Sequence, residues 1–280
     1  MSKIKLIECP RDAMQGYSKF IKTEKKINYI NNLLKVGFYA IDCGSFVSEK
    51  MIPQMYDTPN VIKSLIKEES KTKIIVIVAN ERGALDASNY DQINIFGYPF
   101  SVSENFQMRN TNKTIKESIN VLNNIIEISD KSNKEVVVYL SMAFGNPYGE
   151  KYHPEIVAEL TEKLHQLDVK IIALSDTIGV SNRANIAPLF STLISEYSEI
   201  EFGAHFHSTA EKWKEKVDSA YQNGCRRFDS AIKGLGGCPM AKDDLTGNMP
   251  TEKIISYFSD QLEINKEEFD KSLKLSETIF

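Results

Sequence analysis

Lys35-Val36-Gly37-Phe38-Tyr39-Ala40-Ile41-Asp42-Cys43 and Gly224-Cys225-Arg226-Arg227-Phe228-Asp229-Ser230-Ala231-Ile232 follow one plan. A glycine ends a helical run, a strand-sized run follows, and an aspartate stands five residues after the glycine. This weak internal repeat suggests a chain built from helix–strand units. Six more strand-sized runs agree with it: Ile4 to Cys9, Lys73 to Ala79, Gln92 to Phe96, Glu135 to Ser141, Lys170 to Ser175 and Glu201 to His207. With Tyr39 to Cys43 and Arg227 to Ile232 they make eight. Segments of helical period separate them, such as Ile27, Ile30, Leu33 and Leu34, or Ile156, Val157, Leu160 and Leu164. Thr114 followed by Glu117 reads as a capping box opening the run Ile115, Ile119, Leu122, Ile126.

Eight strands alternating with helices predict an α/β fold, a closed (β/α)8 TIM barrel, over an open doubly wound sheet. No Gly-x-Gly-x-x-Gly follows the first strand, which argues against a dinucleotide-binding sheet. The expectation is a single catalytic domain over residues 1–280, with a glycine-rich loop at 233–248 and a C-terminal helical segment.

Composition excludes other classes. Of 280 residues 42% are hydrophobic, enough for a sizeable core, and 26% are charged. Thirty-four basic against 38 acidic residues give a net charge of −4, so no nucleic-acid footprint is expected. The longest apolar runs, such as Ile74 to Ala79, are strand-sized, so no membrane span is expected. The N-terminal residues carry no apolar signal region and the C-terminal ones no targeting motif, which predicts a cytoplasmic protein. Cys9, Cys43, Cys225 and Cys238 are too scattered for a zinc knuckle and are expected as free thiols, the first three buried beside strands. His153 and His165 read as surface residues. Trp213, four residues before Val217, reads as the buried face of a helix.

In a TIM barrel the chemistry lies at the C-terminal ends of the strands. Those ends are rich in polar groups: Pro10-Arg11-Asp12, Asp42-Cys43-Gly44-Ser45, Ala79-Asn80-Glu81, Asp176-Thr177, His205-Phe206-His207-Ser208 and the loop after Ile232. His205 and His207 are two apart on a strand, so both face one side, and Phe202, Ala204 and Phe206 suit the outer side against helices. The pair reads either as a metal chelate or as hydrogen-bonded core histidines. Asp12 is the candidate carboxylate to join it. Two imidazoles, a carboxylate and oxygen donors suit Mg²⁺ or Mn²⁺, with Zn²⁺ or Co²⁺ also compatible. Gly234-Leu235-Gly236-Gly237-Cys238-Pro239 reads either as a lid whose thiol moves a proton or as a turn holding an inert cysteine. Asn248 offers an amide oxygen.

Pro10-Arg11-Asp12, Ser45-Phe46-Val47-Ser48, Pro53-Gln54-Met55, Asp176-Thr177-Ile178-Gly179-Val180, His205-x-His207 and Gly234-Leu235-Gly236-Gly237-Cys238-Pro239 together resemble the 3-hydroxy-3-methylglutaryl-CoA lyase family, from about Ile4 to Glu252. The resemblance implies cleavage of an acyl-CoA, 3-hydroxy-3-methylglutaryl-CoA, to acetyl-CoA and acetoacetate, as in leucine degradation and ketone-body formation. It implies a divalent cation held by Asp12, His205, His207 and Asn248. Arg11 would then stabilise the thioester enolate and Cys238 would take part in proton transfer. Asp42, Asp176 and Glu252 fall at acidic positions of the family, as supporting groups or base candidates. A homodimer is expected for this fold. The chain departs from the family at Ala13, Asp42, Asn146 and Ser208, where glycine, glutamate, cysteine and aspartate are common. Two other readings stand beside this one: a condensing or aldol enzyme on another hydroxyacyl-CoA or 2-oxo acid, and a non-catalytic metal-holding or CoA-binding barrel.

Overall fold

A computed structural model describes residues 3–67, 70–237 and 246–280. Eight parallel strands form its centre: β1 (Lys5–Glu8), β2 (Ala40–Ser45), β3 (Lys73–Ile77), β4 (Ile95–Ser101), β5 (Glu135–Ser141), β6 (Ile171–Asp176), β7 (Glu201–Ser208) and β8 (Arg227–Ser230). Each pairs with its sequence neighbour, β1 pairs with β8, and β6 pairs with β7, so the sheet closes on itself. The helices are α1 (Pro10–Gln15), α2 (Thr23–Leu33), α3 (Thr58–Lys63), α4 (Glu81–Ser88), α5 (Glu104–Thr111), α6 (Ile115–Lys131), α7 (Pro154–Gln166), α8 (Arg183–Glu196), α9 (Trp213–Gln222), α10 (Thr251–Tyr257) and α11 (Lys266–Ile279). A two-residue strand, β9 (Gly247–Asn248), lies antiparallel to the end of β7. The fold is a (β/α)8 TIM barrel.

Alternation along each strand sorts the core into two parts. Ile7, Ile75, Ile95, Val137, Tyr139 and Ala173 belong to a smaller cluster that fills the barrel. Leu6, Ile74, Val138, Ile172, Phe202 and Phe206 belong to the larger one beneath the helices. Phe206 meets Phe190 of α8 edge to face, which turns His205 and His207 inward as the alternation requires. Gly203 is the inward residue beside Arg227, where an added Cβ would stand 2.9 Å from the arginine Cδ. The Gly37 and Gly224 units share backbone geometry, with φ of +96° and +97°. Thr114 and Glu117 form the expected capping box.

One boundary moves. The fourth strand, expected at Gln92 to Phe96, runs from Ile95 to Ser101, through Gly97 and Pro99. Both residues read as strand breakers. The β3 ladder ends at Ile77 beside Gly97, whose carbonyl accepts from Val78 N. Val102 N donates to Ser141 O on the other side, so the alternation points the donorless nitrogen of Pro99 toward the side where the β3 ladder has ended. At Gly97 a Cβ would stand 2.7 Å from Ile77 Cδ1 and 2.9 Å from Tyr139 Cε2, so packing inside the barrel favours glycine.

After the barrel, α11 returns to α2, where Asn32 Nδ2 donates to Glu268 O, and Tyr17 Oη, ahead of α2, donates to the carbonyl of Phe280 just past α11. No helix among the described residues is long and apolar enough to cross a membrane.

Candidate functional site

His207 and His205 enter the barrel mouth from β7 with their Nδ1 atoms already engaged. His207 Nδ1 lies 2.9 Å from Thr177 O, and because a carbonyl only accepts, Nδ1 carries the hydrogen. Nε2 is then a bare lone pair, and it is buried with no hydrogen-bond partner. His205 Nδ1 sits 2.9 Å from Asp229 Oδ2, which fixes the same tautomer when the ring is neutral. Burial, with the neighbouring His205, lowers the pKa of His207; burial also acts to lower that of His205, but Asp229 outweighs it and the net shift is upward.

Asp12, in α1 just past β1, brings a carboxylate to both rings. One ligand atom from each of Asp12, His205 and His207 lies within 4.8 Å of the others. Burial acts to raise the Asp12 pKa, but Arg11 and the two imidazoles hold it down at about 2. An ionised carboxylate and two imidazole nitrogens, one of them the orphaned and buried Nε2 of His207, fit a divalent cation, which binds imidazole in its neutral form. A second group, Cys9, His205 and Asp229, also clusters, but burial holds the Cys9 thiol well above its usual pKa, and Asp229 already serves the His205 ring.

Arg11 is tied on three sides. Nε lies 3.0 Å and Nη2 2.5 Å from Asp42 Oδ2, while Nη1 donates to Asp12 Oδ1 at 3.0 Å and Gln15 Oε1 at 2.9 Å. Burial opposes its charge, but Asp42 and Asp12 outweigh burial and keep the guanidinium protonated. Among the described residues, one Nη2 hydrogen has no acceptor. A cavity of about 250 Å³ is walled by Arg11, Asp12, Tyr139, His205, His207 and Gly237 among others. Asp42 is fully buried behind Arg11 and does not line the cavity, whereas Asp12 does.

The remaining expected residues fall as follows. Asn248 reaches Asp12 through its amide nitrogen, 2.6 Å from Oδ2, and that nitrogen also donates to Leu235 O. Asp176 is buried under the mouth, where Lys216 Nζ bonds it at 2.6 Å and also holds His207 O at 2.8 Å. Glu252 accepts from Lys233 N at the base of the glycine loop and does not join the metal cluster. Cys238 lies outside the described residues. Cys9, Cys43 and Cys225 are buried free thiols, as expected. Asn146 folds its side chain onto its own turn, accepting from Tyr148 N and Glu150 N, and Ser208 Oγ donates to Thr209 O. Trp213 is half-buried at the start of α9, edge-on to Tyr257.

Sequence reading passed over Lys216, although it precedes Val217 on a helix whose buried side that valine marks. It passed over Glu8 too, an acid at the end of an apolar strand. Asp229 stood out only as the repeat's aspartate, with no partner assigned.

A TIM barrel with a carboxylate, two tautomer-fixed histidines and a guanidinium around one cavity defines a metal-assisted barrel enzyme. Comparison with known proteins makes this specific. The HMGL-like family model matches residues 3–279, and the chain belongs to that family of carbon–carbon lyases. It is 34% identical to hydroxymethylglutaryl-CoA lyase YngG of Bacillus subtilis, over 91% of this chain and 84% of that protein. A crystal structure of the Bacillus subtilis HMG-CoA lyase superposes with a TM-score of 0.92 at 30% identity, covering 99% of this chain and 94% of that one. An Acinetobacter baumannii HMG-CoA lyase, solved in complex with coenzyme A and 3-methylmalate, superposes at 0.87 with 29% identity, covering 99% and 90%.

Proposed function

We propose that this chain cleaves 3-hydroxy-3-methylglutaryl-CoA to acetyl-CoA and acetoacetate. The observation that carries the reading is that Arg11 and the Asp12, His205 and His207 group line the same cavity, so oxyanion donor and cation ligands address one bound molecule. Relatives of the same family bear that activity in their names.

A divalent cation, Mg²⁺ or Mn²⁺, held by Asp12, His205, His207 and the amide oxygen of Asn248, would lower the pKa of the tertiary hydroxyl and fix the substrate's oxygens. Asp12, which lines the cavity, would receive the hydroxyl proton. As the carbon–carbon bond breaks, its electron pair moves onto the thioester as an enolate while the other fragment becomes a ketone. Arg11 donates to the enolate oxygen, a contact of the kind worth about 2.7–4 kcal/mol. Asp42 holds the guanidinium in plane for that contact. Cys238, or a water it positions, protonates the enolate carbon to give acetyl-CoA. Asp176, through Lys216, steadies the His207 backbone.

The acyl-CoA substrate fits a family in which one structure carries coenzyme A. A role in leucine degradation or ketone-body formation follows from the products, and the homodimer and the cytoplasmic location belong to the same reading. The test is acetyl-CoA release from a panel of hydroxyacyl-CoA thioesters with Mg²⁺ or Mn²⁺ present. Release from 3-hydroxy-3-methylglutaryl-CoA, abolished by chelator and restored by cation, is expected. Condensation of acetyl-CoA with a 2-oxo acid, without cleavage, would instead make this a condensing enzyme.

A further inference from the structure

Glu8 ends β1 and is fully buried. Ile7 and Cys9 belong to the barrel-filling cluster, so alternation turns Glu8 outward, toward the helices. Its Oε1 accepts from Ile232 N at 2.9 Å, and its Oε2 lies 2.5 Å from Thr251 Oγ1. Those two partners stand at either end of the segment that carries the glycine loop. Backbone bonds close the same neck, from Ala231 N to Met249 O and from Thr251 N to Ala231 O. Above the neck Gly236 and Asn248 rest on the metal site. A Cβ at Gly236 would stand 2.7 Å from Asp12 O, and Asn248 Nδ2 already touches Asp12.

We propose that Glu8 is a positioning residue: its carboxyl clasps Ile232 and Thr251 to β1 and thereby sets where Gly236 and Asn248 lie over Asp12. The proposal rests on the reading of this mouth as a lyase metal centre. The clasp is built for a neutral carboxyl. Among the described residues, Glu252 of α10, Tyr29 of α2 and Cys9 just past β1 are the titratable groups coupled to it, and none is a cation. Burial first, and Glu252 in addition, raise its pKa to about 8, against the hydrogen bonds from Thr251 and Ile232. When protonated, Glu8 donates to Thr251 Oγ1, Thr251 to Ser230 Oγ and Ser230 to Ile7 O, so the whole chain is satisfied. Ionisation leaves an unpaired charge beside Glu252. The raised value means the native state holds this proton longer than the unfolded chain does. The stability contribution is therefore complete below the ordinary carboxylate pKa and is lost as pH rises to about 8.

Glu8→Gln keeps an acceptor for Ile232 and a donor for Thr251 without a charge. It should match wild-type kcat at neutral pH and keep that rate at pH values where the wild type declines. Glu8→Leu should fold, yet amide exchange at Ala231, Ile232 and Thr251 should quicken and Mn²⁺ affinity should fall about tenfold, as when a group supporting metal ligands is lost. Wild-type exchange and wild-type Mn²⁺ affinity in Glu8→Leu would overturn the clasp, and an alkaline decline shared equally by wild type and Glu8→Gln would overturn its protonation. If Glu8→Leu does not fold, Thr251→Val releases one side of the clasp and is read by the same exchange and Mn²⁺ measurements. Failure of wild-type turnover would count against the lyase reading alone, because the exchange and Mn²⁺ measurements need no substrate.

Discussion

The Gly37–β2 and Gly224–β8 units flank β1 from opposite sides and each sends a buried aspartate into the barrel mouth. Asp42 closes on a guanidinium, Asp229 on an imidazole. One local plan thus delivers two carboxylates, and the neighbour each one meets decides its work. Asp42 holds an oxyanion donor, whereas Asp229 fixes the tautomer of a metal ligand. Burial lifts Asp42 above the ordinary carboxylate range, with Arg11 opposing it.

The largest effects belong to the groups assigned to the enolate. Arg11→Lys keeps a charge but loses the planar fork shared between Asp42 and the cavity. Its kcat should fall about 100- to 1,000-fold with Mn²⁺ binding intact. A variant that changes only KM would move Arg11 from the enolate to substrate capture. Cys238→Ser should fall in the same class, folding and binding metal normally while turning over orders of magnitude more slowly, because a hydroxyl is far less acidic than a thiol. Wild-type kcat in that variant would remove the thiol from proton transfer.

Crossing the two aspartates sharpens the comparison. Asp229→Asn should weaken Mn²⁺ binding about 10- to 100-fold, measured by titration of the purified protein, since it frees the His205 tautomer. Asp42→Asn should leave Mn²⁺ binding unchanged and lower kcat. Equal metal loss in both variants would erase the distinction.

The smallest effect separates the two glycines. Both have positive φ, so alanine strains either by about 1–2 kcal/mol. At Gly37 the new Cβ would also stand 2.8 Å from the Glu263 carbonyl oxygen, whereas at Gly224 the nearest atom is Ile194 Cδ1 at 3.2 Å, the movable end of a side chain. Gly37→Ala should therefore lower Tm further than Gly224→Ala, and the reverse order would show that the two units are not anchored as described.

Local chemistry made much of this legible from the chain alone. A two-residue spacing on a strand places His205 and His207 on one face whatever surrounds them, and Thr114 with Glu117 caps a helix within four residues. The helix–strand alternation sets the barrel, and the barrel brings Arg11 and Asp12 at the end of β1 to the same mouth as the histidines of β7. What the tertiary structure alone decided was partnership. Asp42 meets Arg11 across 31 residues, Asp229 meets His205 across 24, and Lys216 meets Asp176 across 40. Glu8 reaches Ile232 and Thr251 across 224 and 243. The fourth strand crosses a proline because β3 stops beside it. Periodicity and caps act within a few residues, so a sequence displays them directly. The choice of partner for a buried charge depends on which atoms the closed barrel brings within hydrogen-bond reach, and that is settled only when distant strands stand side by side.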